Sequence, residues 1–81
     1  MEKKYRDKIR MEAERILERY DDITIVKKFR EQDRKYKDVI MNPEQSKGMT
    51  LDYYITREAF RMAAHERGYT DDVLEEKRTK K

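Results

Sequence analysis

Apolar side chains recur at spacings of three and four from the start of the chain. Tyr5, Ile9, Ala13, Ile16, Leu17 and Tyr20 fall on one face of a 3.6-residue period, and Lys, Arg and Glu fill the other faces. The spacing predicts a helix over residues 2–20, with Met11 off the stripe and facing solvent. Asp21-Asp22 breaks the pattern. Either carboxylate suits the cap of a new helix, where it accepts backbone N–H bonds and meets the positive end of the dipole. A second helix is expected over 23–41, with Ile25, Val26, Phe29, Tyr36, Val39 and Ile40 on its apolar face and Gln32-Asp33 interrupting it. Its opening Ile23-Thr24-Ile25-Val26 is β-branched and would suit a strand by propensity. No second strand signal exists to pair with it, so the helical reading stands.

Residues 42–49 form the connector. They hold the only Pro, the only Asn and the only Ser of the chain (Pro43, Asn42, Ser46). A third helix is expected over 50–67, ended by Gly68, a natural residue for the position just past a helix. Thr70 then caps a short helix over 71–78, acids first (Asp71, Asp72, Glu75, Glu76) and bases last (Lys77, Arg78), as the dipole prefers. A short break between two long amphipathic helices implies an antiparallel helical hairpin. The expected fold is all-α and a single small domain over 1–81. A long antiparallel hairpin carries a third helix packed across it and a short C-terminal fourth helix.

The third helix is apolar on two faces. Leu51, Ile55, Ala59 and Met62 line one, with Tyr54 at its edge; Tyr53, Phe60 and Ala64 line another nearly opposite. Such a helix is sandwiched. The hairpin covers one face. The other is covered either by the last helix, through Tyr69, Val73 and Leu74, or by a partner. The partner reading names Tyr53, Phe60 and Ala64 as the contact face, flanked by Arg57 and Arg61.

Composition sharpens the class. Charged residues are 48% of the 81 and apolar residues 36%. Leu, Ile, Val and Phe number only 14, just under the level at which disorder becomes a concern. The 21 basic and 18 acidic side chains nearly cancel, leaving +3, and six Tyr and five Met add apolar volume, so a folded chain is expected. There is no Cys, hence no disulfide and no thiolate metal site. A serine triad would have to join Ser46 to His65 with no glycine elbow nearby, and two glycines cannot build a phosphate loop. No enzyme activity, cofactor or metal is expected. The acidic cluster of the last helix is accounted for by the dipole. No run of about 20 apolar residues exists to span a membrane, and no apolar stretch follows Lys3-Lys4 to make a secretory signal. A cytoplasmic protein is expected.

Two basic stripes remain. Lys27, Arg30, Arg34 and Lys37 follow one flank of the second helix, and Arg57, Arg61 and His65 follow the third. Together they could track a phosphate backbone. Ala64, Gly68, Tyr69 and Leu74 also match part of the DNA-binding helix-turn-helix pattern. Lys77 stands where an aliphatic residue belongs, and Asp71-Asp72 would face the phosphates. The leading expectation is therefore a non-catalytic helical module that regulates or inhibits a larger protein. A small basic DNA-binding regulator is the alternative, and a self-associating assembly protein a further one.

Overall fold

A computed structural model describes residues 3–42, 44 and 50–75. They form four helices: α1 (Lys3–Arg19), α2 (Asp22–Met41), α3 (Thr50–Glu66) and α4 (Asp71–Leu74). No strand occurs among the described residues, and the fold is all-α. Of the connector, only Asn42 and Glu44 are described. The predicted extension of the last helix through residue 78 lies partly outside the described residues; within them α4 is one turn, closed by Glu75 as its C-cap.

Local chemistry explains the boundaries. Asp21 is extended (φ −84°, ψ 175°) and its Oδ1 accepts from the Thr24 N–H at 2.9 Å. That cap starts α2 directly ahead of the β-branched run and commits the run to helix. The hydrogen bonds from Thr24 hold the Asp21 carboxyl below its ordinary pKa. At the end of α3, Gly68 takes φ +92°. The Tyr69 N–H then reaches the Ala64 carbonyl and the Gly68 N–H the His65 carbonyl, both at 3.0 Å. This pair of bonds is a Schellman motif and satisfies two carbonyls the helix would leave open. Thr70 caps α4 by accepting from the Val73 N–H.

The packing differs from the expected hairpin in one respect. α1 and α2 each pack against α3, but make few direct contacts with each other. α2 and α3 run antiparallel. Arg61 lies over the Phe29 ring, Arg57 bonds Asp33, and Tyr54 meets Tyr36 with ring centroids 5.8 Å apart. Partner numbers fall on α3 as they rise on α2, which fixes the antiparallel register. α1 also packs along α3. Its C-terminal end meets Phe60 through Tyr20, with centroids 6.1 Å apart, and the Leu17 carbonyl accepts from Arg67 Nη2 at 2.8 Å. Ala13, Ala59 and Ala63 are buried where small side chains let the two helices approach. Arg67 also bonds Asp22, so one guanidinium ties the end of α3 to the corner between α1 and α2. α3 is thus covered by both α1 and α2.

Ile9, Ile16, Ile25, Val26, Phe29, Ile55 and Phe60 are buried with these alanines, and Leu74 closes the core from α4 at 1% exposure. Met62, Leu17, Tyr5, Tyr20, Tyr54 and Tyr69 pack around the edge. Met11 faces solvent, as its position off the stripe implies. Two expectations are corrected. Ile40 is 49% exposed and Leu51 41% exposed. They lie at the end of α2 and the start of α3, away from the α3 residues seen to meet α1. No described helix is long and apolar enough to cross a membrane.

Candidate interaction surface

The face expected to receive a partner is not open. Phe60 and Ala64 are buried, the first against Tyr20, and Tyr53 is half-buried. The physical reason is that α1 and α2 both pack on α3 and cover it. Arg57 and Arg61 are corrected with them. They are not rim residues but members of a polar network between α2, α3 and α4.

Arg57 is the centre of that network. Its side chain is only 15% exposed; Nη1 lies 3.0 Å from Asp33 Oδ1 and Nη2 2.7 Å from Glu58 Oε2. The guanidinium sits 4.5 Å from the Tyr36 ring centroid and 5.7 Å from that of Tyr54. Burial alone would push its pKa down; the bonds and charges of Asp33 and Glu58 outweigh that and hold it above the ordinary arginine value. Lys37 adds a second cation to Asp33 at 3.0 Å. Arg61 lies 3.6 Å from Glu58 and 3.5 Å from Asp71, and His65 Nε2 lies 2.8 Å from the same Asp71 oxygen.

The basic stripes are correspondingly broken up. Arg30 donates to the carbonyls of Val73 and Leu74, at 2.8 and 3.4 Å. Lys37 and His65 face carboxylates. Lys27 and Arg34 are exposed and make no ion pair among the described residues. Asp33, Asp38 and Glu75 line the same shallow depression as Arg30, Arg34 and Lys37, which makes it mixed in charge. The helix-turn-helix alternative meets a further obstacle: α4 is a single turn that opens with Asp71 and Asp72. Among the described residues, no group of three or more His, Asp or Glu side chains converges as a metal site would need.

One surface was not singled out by the helix patterns. A groove of about 310 Å³ runs between α1 and α3. α1 supplies Arg6, Ile9 and Arg10; α3 supplies Glu58, Arg61, Met62 and His65. Ile9 and Met62 are buried and half-buried, and give it an apolar floor. Arg6 and Arg10 are exposed and take part in no ion pair among the described residues. The signal for this surface lies in the sequence as charge placement. Lys3, Lys4, Arg6, Lys8 and Arg10 against Glu2 and Asp7 leave +3 in the first ten residues, and the whole chain is +3. Residues 11–81 are therefore neutral in sum, and the net charge sits at this end of α1.

No protein-family model matches the chain, and no curated protein or solved structure shows significant similarity to it.

Proposed function

We propose that the chain is a non-catalytic protein-interaction module that regulates or inhibits a larger protein. The observation that carries this reading is the groove between α1 and α3, where Arg6 and Arg10, without an ion pair among the described residues, border the apolar side chains of Ile9 and Met62. Interfaces join an apolar centre to a polar rim, and Arg is enriched in them. The nucleic-acid alternative loses support from the same geometry, because Arg30, Lys37, Arg57, Arg61 and His65 all have partners within the chain.

The test begins with affinity capture from native cell extract, with and without nuclease. The captured protein is then purified and recombined with this chain, and the mass of the complex is measured by light scattering. A defined complex that survives nuclease supports the reading. Capture that vanishes with nuclease, together with duplex binding that falls steeply as salt is raised, would replace it with the DNA-binding one. A mass that doubles without any partner would replace it with self-association.

A further inference from the structure

We propose that the groove between the N-terminal half of α1 and the C-terminal half of α3 docks an acidic amphipathic helix of a protein partner. Carboxylates of that helix pair with Arg6 and Arg10, and an apolar side chain enters against Ile9 and Met62. The inference rests on the protein-interaction reading and specifies the partner's chemistry.

Charge is the first argument. The net charge of the chain resides in residues 1–10, and Arg6 and Arg10 face solvent on one wall of the groove. Folding does not account for this placement. The first turn of α1 carries no acid, so its cations crowd the positive end of the helix dipole, where they cost helix stability. An anionic partner reverses the sign of that contribution.

The second argument is the opposite wall. There His65 and Arg61 already hold a carboxylate, Asp71, with His65 Nε2 at 2.8 Å. The groove thus shows on one side the contact that its other side lacks. Shape is the third. Residues 6, 9 and 10 of α1 and 58, 61, 62 and 65 of α3 follow three- and four-residue rows, and a trough between two such helices accepts the ridge of a third.

Carboxylates fit better than a phosphate backbone. Glu58 stands in the wall and Asp71 is paired to the wall residues Arg61 and His65, so an unbroken row of phosphates would meet negative charge there. A helix spaces its acids and can set an apolar residue against Ile9 and Met62 where a nucleic acid offers charge.

The test uses the full chain, isotope-labelled for NMR. The probe is a helical peptide of about 18 residues with Leu at i, i+3 and i+7 and Glu on the flanks. Three comparison ligands are the same composition with Leu scattered, the same peptide with Lys in place of Glu, and a short DNA duplex. The expected result is shifts concentrated at Arg6, Arg10 and the methyls of Ile9 and Met62. Affinity should fall on the order of tenfold or more in Arg6→Glu/Arg10→Glu, with the helical circular dichroism unchanged because both positions are exposed. Shifts elsewhere, equal binding of the scattered peptide, undiminished binding by the double variant, or preference for the duplex each overturn the proposal. A cellular protein complex that persists in the double variant would remove the groove and leave the interaction module standing. Absence of any protein complex would remove both.

Discussion

Replacing Arg57 by Ala tests whether a charged residue holds α2 to α3. In the folded chain its guanidinium bonds Asp33 at 3.0 Å and Glu58 at 2.7 Å and lies against both the Tyr36 and Tyr54 rings. Removing one partner of a buried ion pair costs about 3–5 kcal/mol, because a charge is left without compensation. Here Asp33 keeps Lys37 and Glu58 keeps Arg61, which places the electrostatic part at the lower end. The lost ring contacts add about 0.5–1 kcal/mol. The expected total is about 3 kcal/mol, from a stability of about 4–12 kcal/mol for a chain of this length. With a urea slope of about 1–1.5 kcal/mol per molar, the midpoint should fall by about 2 M or more. The assay is urea denaturation followed by circular dichroism, on Arg57→Ala, Asp33→Ala and the double variant. A coupling energy of about 1–3 kcal/mol should separate the double from the sum of the singles. A loss below about 0.5 kcal/mol for Arg57→Ala would refute the reasoning and place the network among solvated surface pairs.

Phe29→Ala and Phe60→Ala should each cost about 3–5 kcal/mol in the same assay, since both rings are buried; a Phe60→Ala chain that melts like the parent would show that its face is open after all. Gly68→Ala should cost about 1–2 kcal/mol through its left-handed backbone alone, because a Cβ there meets nothing within 4 Å; an unchanged melting temperature would count against the cap. The Asp21 pKa is lowered from 3.8 in the folded chain, so its charge stabilises the fold fully above that value and ceases to do so as pH falls through the lowered folded value. The melting temperature of the parent relative to Asp21→Asn should therefore drop as pH is taken below 3.8, and a difference independent of pH would show that the carboxylate charge contributes nothing.

The helices were legible because each rule behind them is local. The stripe from Tyr5 to Tyr20, the Asp21 and Thr70 caps and the Gly68 stop need only neighbours in sequence. Which helix pairs with which was not local. A two-residue break between α1 and α2 suggested that those two close on each other. Instead α1 and α2 both close on α3. Periodicity reveals that a face is apolar; it carries no label for what covers it. Ile40 and Leu51 show the consequence: both lie on apolar stripes, and both are exposed.

The charged residues misled for a related reason. Arg57 and Arg61 read as surface because isolated arginines are, yet in a chain with 14 Leu, Ile, Val and Phe residues aliphatic carbon cannot fill every interface. The α1–α3 contact takes isoleucines and alanines. The α2–α3 pairing takes Phe29 and two tyrosines, and fills the remaining space with guanidinium groups whose stems and planar heads pack on the rings. Those arginines need Asp33, Glu58 and Asp71 beside them, so one acid each from α2, α3 and α4 is engaged within the fold. Arg6 and Arg10, at the start of α1, make no ion pair among the described residues. On the reading proposed above, recognition by charge falls to Arg6 and Arg10, which the fold leaves exposed on the wall of the groove.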